Sequence, residues 1–472
     1  MDQRLEWEVA EAMSGTVGIV LAAGAGKRMH SELPKVLHEV AGRPLVAHVL
    51  AALEPIALDD RVVVCSDDVD DIATSCARAG FAEGISFVVQ EKPRGTADAL
   101  KVGLAGLENV PETVLVMNGA TPLVRTETLA RLLSMHRERG AAATLLTAEL
   151  MDPAPYGRIV RGFGDEVEKI VEERDATDLE RSITEVNAGV YVFSYAAVNR
   201  YAGEVDRANA QGEYYITDII GMLRSAGEQV EAFRTDPNEI KGVKSRVQLA
   251  EVGELMRARI AARWMGEGVT IVDPRTTYID ATVTIESDVL IQPFSFLEGA
   301  TSVGRGVEVG PQARVMNSVL GEDSVVSYAV IRDSELGPRT SVGPFASLRP
   351  GTKLGAGAHL GSFVETKNTT VGENSKVPHL SYLGDADIGR GVNVGAGSIT
   401  GNWDGRGKHK TVIEDDAYIS SNTTMVAPVR IGKGAATGAG AVVRQDVPPE
   451  ALAVGVPARV IEGKGNKMAK EA

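Results

Sequence analysis

A stretch of small and aliphatic residues, 336–383, is interrupted by side chains that can do chemistry. They are Arg349, Glu365, Lys367, His379 and Tyr382. A structural segment built from small and aliphatic residues does not require these side chains. Histidine is suited to general-base chemistry because its unperturbed pKa lies near neutral pH. Arginine and lysine bind phosphate oxygens. We therefore interpret this set as a candidate active site.

A second candidate site lies near the N-terminus, where a strand-like run is followed by a glycine-rich turn. The run 17–23 leads directly into Gly24, and the turn ends at Arg28. Glycines let backbone N–H groups approach an anion, and Arg28 supplies positive charge, so the segment predicts a phosphate cradle. Lys35 is a second candidate phosphate ligand. A tight strand-to-helix turn is the alternative, because the spacing fits neither a dinucleotide fingerprint nor a Walker loop.

The elements around the cradle alternate between strands and helices. Strand-like runs cover 17–23, 61–65, 86–90 and 113–117, and helix-like runs include 45–53 and 97–107. This alternation predicts a mostly parallel sheet covered on both faces, with ligands at the carboxyl ends of its strands. Gln90, Gly95, Thr96 and residues 118–121 follow such strands, so we expect them to share a pocket with Gly24.

The candidate site in 336–383 sits on a six-residue repeat. Its aliphatic members are Leu336, Val342, Leu348, Leu354 and Leu360, and four of the five are followed by glycine. A period of six is typical of a β-solenoid rather than a helix, with glycine taking turn dihedrals. At eighteen residues per triangular coil, the array would hold roughly ten coils. The repeat is broken at 367–370 and 401–410, where we expect protruding loops.

Composition limits the classes of protein that this chain can be. Its 472 residues are too many for one ordinary core, and its net charge of −15 argues against a broad nucleic-acid surface. Only two cysteines are present, which favours a reducing cytoplasm. The sequence has no apolar run of about 20 residues that would span a membrane, and its first 14 residues do not follow the plan of a signal peptide.

We divide the chain into five parts. Residues 1–14 form an N-terminal extension, and 15–244 form an α/β domain. An amphipathic linker helix covers 245–268, because its apolar residues recur at three- and four-residue steps. The solenoid runs over 269–460, and 461–472 form a flexible tail.

The motifs of the first domain resemble those of sugar-1-phosphate nucleotidylyltransferases. The matching segments are Leu21-Ala-Ala-Gly24, Arg28, Leu33-Pro-Lys35, Gln90, Gly95-Thr96, Tyr156-Gly157-Arg158, Ile170-Val-Glu172, Asn187-Ala-Gly189 and Gly212–Asp218. With the six-residue repeat, residues 15–460 resemble the bifunctional N-acetylglucosamine-1-phosphate uridylyltransferase/glucosamine-1-phosphate acetyltransferase family. This resemblance implies an α/β doubly wound nucleotidylyltransferase-like domain followed by an all-β left-handed parallel β-helix of hexapeptide repeats. It also implies a homotrimer with acetyltransferase sites between subunits, and UTP and acetyl-CoA as substrates.

The resemblance assigns roles in the first domain. Arg28 and Lys35 would hold the triphosphate and the transition state, as catalytic residues. The residues that would bind UDP-N-acetylglucosamine are Leu21, Ala22, Ala23, Gly24, Gln90, Gly95, Thr96, Gly157, Glu172, Asn187 and Thr217. The implied reaction is an in-line attack of the sugar phosphate on the α-phosphorus of UTP, which depends on positioning and charge neutralisation.

Both metal positions depart from the family pattern. The family has Gly-Asp-x-Pro-Leu and Gly-Val-Asn-x-Arg, whose Asp and Asn bind Mg²⁺, whereas this chain has Ala120 and Lys244 at those places. A methyl group cannot ligate a hard cation, and an ammonium repels one. The favoured interpretation is that metal-dependent uridylyl transfer is lost. A second hypothesis is that Lys244 replaces the metal, because aspartate plus Mg²⁺ carries the same net charge as alanine plus lysine.

The resemblance also assigns roles in the solenoid. His379 would be the general base of acetyl transfer, oriented by Glu365. Glucosamine-1-phosphate would be bound by Arg349, Lys367, Tyr382, Asn393 and Lys408, with Lys410 as a competitor of Lys408. Acetyl-CoA would be bound by Ala396, Asn402, Trp403, Ser421 and Ala439. Trp403 replaces a family tyrosine. Gly455 replaces an arginine, for which Arg444 or Arg459 could substitute.

Three other interpretations stay open. The chain could be fully bifunctional, with Asp98 or Asp218 recruited as metal ligands. The first domain could bind UDP-N-acetylglucosamine without catalysis. The solenoid could acetylate another amino sugar. Small molecules are the expected partners in each case, without nucleic acid or membrane.

Overall fold

The computed structural model describes residues 15–24 and 26–464. The predicted extension 1–14 and most of the predicted tail lie outside the described residues. Two compact units are present, and the boundary between them falls between Met256 and Arg257. None of the helices within the described ranges has the length and apolar character that a membrane span requires.

The first unit is an α/β fold. Its strands are β1 Thr16–Leu21, β2 Glu39–Val40, β3 Arg43–Pro44, β4 Asp60–Cys65, β5 Ser86–Val89, β6 Thr113–Asn118, β7 Ala143–Glu149, β8 Arg158–Arg161, β9 Val167–Val171, β10 Glu185–Ser194 and β11 Val230–Arg234. Its helices are α1 Leu45–Leu53, α2 Val69–Arg78, α3 Thr96–Ala105, α4 Thr126–Arg139, α5 Asp178–Arg181, α6 Tyr195–Tyr201, α7 Asp218–Ser225 and the start of α8 Arg246–Gly266. Short 3₁₀ turns cover Lys27–Met29, Lys35–Leu37 and Phe163–Asp165.

The main sheet has the strand order β11-β7-β10-β6-β1-β4-β5. Strand β1 is parallel to β4 and β6, whereas β10 is antiparallel to β6 and β7. The central strands are buried on both faces, which explains their continuous apolar sequence. The predicted alternation of strands and helices is confirmed, and the carboxyl ends of β1, β5 and β6 precede the motifs that the sequence singled out.

The second unit is a parallel β-helix. Its strands are β12 Thr270–Ile271, β13 Tyr278–Ile279, β14 Thr284–Ile285, β15 Leu290–Ile291, β16 Phe296–Glu298, β17 Ser302–Val303, β18 Glu308–Val309, β19 Arg314–Met316, β20 Val319–Leu320, β21 Val325–Val326, β22 Val330–Arg332, β23 Glu335–Leu336, β24 Ser341–Val342, β25 Ser347–Leu348, β26 Lys353–Leu354, β27 His359–Ser362, β28 Glu365–Val371, β29 Lys376–His379, β30 Tyr382–Ile388, β31 Asn393–Val394, β32 Ile399–Gly401, β33 Thr411–Ile413, β34 Tyr418–Ile419, β35 Thr424–Val426, β36 Val429–Ile431, β37 Ala436–Thr437, β38 Val442–Val443, β39 Leu452–Gly455 and β40 Ala458–Ile461. Among the described strands of this unit, β39 and β40 are the one pair that runs antiparallel.

Most strands pair with strands three places further along the chain, so the coils have three faces; where one strand spans two faces, as β28 does, the step is two places. Ile291 pairs with Val309, which pairs with Val326, and these steps are 18 and 17 residues long. The next step, to Val342, is 16 residues long. The aliphatic repeat points inward: Leu348 and Leu360 are fully buried. The six-residue period therefore predicts the fold correctly, although the coil length varies.

The prediction that glycines serve turn dihedrals is wrong for most of the repeat. Gly337, Gly355 and Gly361 have no positive φ. A Cβ on Gly361 would lie 2.0 Å from the Pro378 carbonyl oxygen in the next coil. These glycines are needed because the backbones of successive coils approach closely, and only Gly343 in this set has a left-handed φ, of 111°.

One of the two expected loops is present. The coil that contains 401–410 is longer than its neighbours, because Val394 pairs with Ile419, 25 residues further on. Trp403 and Lys408 close this insertion with an antiparallel bridge. The loop predicted at 367–370 is wrong: these residues belong to β28, which continues around a corner and pairs with strands of two faces.

Candidate active sites

Two adjoining cavities occupy the carboxyl edge of the sheet in the first unit. One, of about 500 Å³, is lined by Leu21, Ala23, Gly24, Gln90, Gly95 and Thr96 among others. The other, of about 520 Å³, is lined by Gly157, Glu172 and Asn187 among others. Residues shared by both cavities are Arg28, Lys35, Thr96, Asn118, Glu213 and Lys244. Apart from Ala22 and Thr217, which line neither cavity, the residues assigned to the nucleotide and to the sugar therefore lie in neighbouring halves of one cleft.

On the nucleotide side, Gln90 is held by two hydrogen bonds. Its side-chain amide donates to Asp98 Oδ2 at 2.7 Å and to the Gly95 carbonyl at 3.3 Å. Gly95 has a left-handed φ of 127°, and a Cβ there would collide with the Tyr214 backbone. Ala22 is buried, and its N–H donates to the Val64 carbonyl at 2.8 Å.

On the sugar side, the polar groups hold one another in place. Thr217 Oγ1 donates to Glu172 Oε1 at 3.2 Å. The Asn187 amide donates to Tyr191 Oη at 2.7 Å, and its Oδ1 accepts from Gly189 N. Burial is the largest influence on Glu172 and raises the pKa of its carboxyl, against the effects of Thr217 and of nearby Lys244.

Three cations meet where the two cavities join. Burial, together with the charges of Lys244 and Arg28, lowers the pKa of Lys35 to about 8. Burial and the charge of Arg28 also lower the pKa of Lys244. Because the charge of Arg28 lowers both pKa values and that of Lys244 lowers the pKa of Lys35, positive charges lie close together at this point of the cleft, which favours an anion there.

The two family metal positions lie beside each other in the fold. Val243 N donates to the Ala120 carbonyl at 2.9 Å, and both Ala120 and Lys244 line the larger cavity. Neither side chain offers an oxygen, so the pair does not fit a divalent cation. Across the described residues, no group of three or more His, Cys, Asp or Glu side chains is arranged to hold a metal.

Asp98 and Asp218, the alternative metal ligands, do not supply the missing oxygen atoms at this place. Asp98 is occupied by Gln90. Asp218 lines a separate cavity next to Thr217 and Met222, away from Lys35 and Lys244. Burial and neighbouring carboxylates raise the pKa of Asp218 to about 6.

In the second unit, cations again gather on one face. Arg349 Nη1 is 2.9 Å from Glu365 Oε1. Lys367 and Lys408 are close enough to hydrogen-bond, and that contact, with the charges of Lys408 and Arg349, lowers the pKa of Lys367. A cluster of this kind is suited to a phosphate group. Lys410 points elsewhere, in an ion pair with Asp387.

His379 ends β29 and is exposed to solvent. Ser362 is its partner in the neighbouring strand. The carboxylate expected to orient it, Glu365, instead contacts Arg349 and pairs in register with Tyr382. The expected contact between Glu365 and His379 is therefore not formed within this chain, although both residues lie on consecutive coils.

Strand β30 contributes a polar group, Asp385, that the sequence did not single out. Asp385 accepts from the amides of Asn368 at 2.7 Å and Asn402 at 2.6 Å. Partial burial would raise the pKa of Asp385, but these hydrogen bonds and the nearby lysines lower it. Asp385 therefore fixes the side chain of Asn402. The sequence signal that could have revealed Asp385 is its position two residues after Leu383, a member of the aliphatic repeat.

The residues assigned to acetyl-CoA include a column of small side chains. Asn422 N donates to the Ala396 carbonyl, and Gly440 N donates to the Ser421 carbonyl, so Ala396, Ser421 and Ala439 lie at one corner of successive coils. Trp403, on the insertion, is 61% exposed. Asn393 opens β31 and pairs with Lys376 and Tyr418. Arg444 and Arg459, the candidate replacements for the arginine missing at Gly455, are both exposed.

Comparison with known proteins supports the assignment of both units. Residues 18–187 match the MobA-like NTP transferase domain. A "Bifunctional protein GlmU" of Thermobifida fusca is 47% identical over 451 residues, which are 94% of this chain and 93% of the relative. Those of Brevibacillus brevis and Carboxydothermus hydrogenoformans are 45% and 46% identical, covering 94% and 93% of this chain and 95% and 97% of theirs. The chain therefore belongs to the GlmU family, the bifunctional N-acetylglucosamine-1-phosphate uridylyltransferase/glucosamine-1-phosphate acetyltransferases that its motifs indicate.

Proposed function

We propose that the second unit transfers the acetyl group of acetyl-CoA to the amine of glucosamine-1-phosphate. The observation that carries this proposal is the cluster of Arg349, Lys367 and Lys408, whose positive charge is complementary to the negative charge of a sugar phosphate. The amine attacks the thioester carbonyl and His379 accepts the amine proton; coenzyme A leaves as the thiolate and becomes the thiol by taking that proton. Exposure of His379 leaves its ring free for this role.

We further propose that uridylyl transfer dependent on Mg²⁺ is impaired in the first unit. Ala120 and Lys244 support this, because they provide no oxygen ligand and place a positive charge where the family uses a cation. The rest of the cleft keeps the residues assigned to UTP and N-acetylglucosamine-1-phosphate. The chain would then depend on acetyl transfer as its main activity in UDP-N-acetylglucosamine synthesis.

A matched pair of lysines tests the phosphate site. Lys408→Met should raise the KM for glucosamine-1-phosphate by about tenfold or more, because it removes one charged hydrogen bond to the phosphate. Lys410→Met should change KM by less than about twofold, since Lys410 is paired with Asp387. Steady-state acetyl transfer measures both. Equal effects of the two substitutions would remove Lys408 from the phosphate site.

We also propose that the chain works as a homotrimer in the cytoplasm. Support for the trimer comes from a column of exposed apolar side chains on one corner of the β-helix. Tyr328 and Phe345 have ring centroids 5.5 Å apart, and Phe345 and Phe363 have theirs 5.4 Å apart. Leu380, next to His379, extends the column and is 63% exposed. Large exposed apolar surfaces are typical of association sites. Cys65 and Cys76, which are buried and unpaired, fit a reducing cytoplasm.

Phe363→Glu should dissociate the trimer and lower acetyl transfer by at least about tenfold, because a carboxylate cannot be buried cheaply in an apolar interface. Light scattering after gel filtration gives the mass, and the acetyl transfer assay gives the activity. Phe163→Glu, at a fully exposed phenylalanine of the first unit, is the matched control and should change neither. A monomeric Phe363→Glu variant with full activity would contradict a site shared between subunits.

A further inference from the structure

Lys244 lies where the two cavities of the first unit join. It lines both cavities, together with Arg28 and Lys35. A ligand that reaches from the nucleotide half to the sugar half must therefore pass its linking group along these three cations. Glu172 is the carboxylate that acts on Lys244 electrostatically, and it lies on the sugar side.

The Lys244 side chain and backbone are both held in position. Its Nζ lies 5.5 Å from the centroid of the Tyr156 ring, within the range of a cation–π interaction. Its backbone N–H donates to Gln248 Oε1 at 2.9 Å, at the start of α8. The backbone of Gly242, two residues earlier, hydrogen-bonds to the Tyr156 hydroxyl. Tyr156 thus contacts this loop through its ring and through its hydroxyl.

Tyr156 is in turn fixed by buried groups. Its carbonyl accepts a hydrogen bond from Arg158 Nη1. Arg158 is 1% exposed and forms an ion pair with Glu173 at 2.6 Å. The Tyr156 N–H donates to the Pro153 carbonyl at 2.9 Å. Because this support does not depend on a ligand, the ammonium of Lys244 is positioned before any phosphate arrives.

We propose that this cleft binds the diphosphate of a nucleoside diphosphate sugar without a divalent cation, with the Lys244 ammonium, positioned by Tyr156, as the phosphate ligand. The inference rests on the proposed loss of the metal site. Alanine with lysine supplies the same net charge as aspartate with Mg²⁺, so the phosphates meet a similar electrostatic balance. A charged group fixed over an aromatic ring also needs little reorganisation on binding. Tyr156 is a positioning residue here, because it acts through Lys244.

Calorimetric titration of the full-length chain with UDP-N-acetylglucosamine tests the proposal. The dissociation constants in EDTA and in Mg²⁺ should agree within about twofold. Lys244→Met should weaken binding in EDTA by about tenfold or more, since it removes the charge and keeps the length of the side chain. Lys101→Met, at an exposed lysine of α3, is the matched control and should leave binding unchanged.

Two variants of Tyr156 separate positioning from a general effect on the fold. Tyr156→Phe keeps the ring and should bind within about threefold of the parent, whereas Tyr156→Leu should weaken binding several-fold more. In Lys244→Met, which has no ammonium to position, the same two tyrosine variants should differ from each other by less than about twofold. Equal binding by Tyr156→Phe and Tyr156→Leu in the parent background would remove Tyr156 from this role.

Failure of the inference can be told apart from failure of the proposed function. No binding in EDTA, binding at least tenfold tighter with Mg²⁺, or no effect of Lys244→Met would each overturn the inference. Uridylyl transfer that EDTA abolishes would instead overturn the proposed loss of the metal site. Binding equal in EDTA and Mg²⁺, without uridylyl transfer, would support both.

Discussion

Replacing His379 with alanine is expected to lower the rate of acetyl transfer by roughly 10²–10⁴, the usual contribution of a general base. The amine of the sugar is protonated in solution near neutral pH and must lose protons as the amide forms. The exposed ring at the end of β29 has no competing hydrogen bond among the described residues. The loss should appear in kcat rather than in KM, because His379 acts on the reacting amine and not on the phosphate.

A second histidine provides the control. His359 also lies on the β-helix, one coil away, and its Nδ1 is 2.6 Å from Ser341 Oγ. Burial lowers the pKa of His359, and the charges of Lys376 and His379 lower it further. His359→Ala should keep acetyl transfer within about threefold of the parent. A loss of less than tenfold in a folded His379→Ala variant would remove His379 from the role of general base.

The second large effect concerns the metal site. Combining Ala120→Asp with Lys244→Asn should raise uridylyl transfer in Mg²⁺ by at least about 100-fold, because a bound cation stabilises the phosphoryl charge by several kcal/mol. The geometry favours the repair: Ala120 and Lys244 line the same cavity, and Val243 hydrogen-bonds to the Ala120 carbonyl. A coupled assay for released pyrophosphate measures the gain.

Single substitutions define what the repair requires. Ala120→Asp alone should remain inactive, because the new carboxylate would pair with the Lys244 ammonium instead of a metal. Lys244→Asn alone should remain inactive for lack of a carboxylate. EDTA should abolish the activity of the double variant. A folded double variant without any gain would mean that these two positions do not account for the loss.

Much of the fold follows from local sequence patterns. Strands and helices of the first unit were predictable because apolar runs and turn residues alternate, and α1 begins and ends where its pattern does. The solenoid follows from its six-residue period. The role of glycine does not, because Gly361 is required by the Pro378 carbonyl of the next coil, a contact that the sequence alone does not reveal. Likewise, β28 turns a corner without a loop because Asn368 adopts a left-handed φ of 46°.

The candidate sites, like the fold, were predictable from the sequence only in part. Motifs place Gln90, Glu172 and Asn187 around one cleft, because ligands bind where parallel strands end. Sequence could not separate Lys408 from Lys410, because their different neighbours, Lys367 for Lys408 and Asp387 for Lys410, are brought to them only by the fold. Nor could it show that Tyr156 supports Lys244, since the two residues meet only through the fold. The contact of Glu365 with Arg349 within one chain is likewise visible only in the fold.

The most direct test is a pair of half-reaction assays on the purified full-length chain, each with Mg²⁺ and with EDTA. We predict acetyl transfer to glucosamine-1-phosphate under both conditions, and no stimulation of uridylyl transfer by Mg²⁺. Uridylyl transfer at a substantial rate that EDTA abolishes would contradict the account, because it would require a working metal site that Ala120 and Lys244 cannot form.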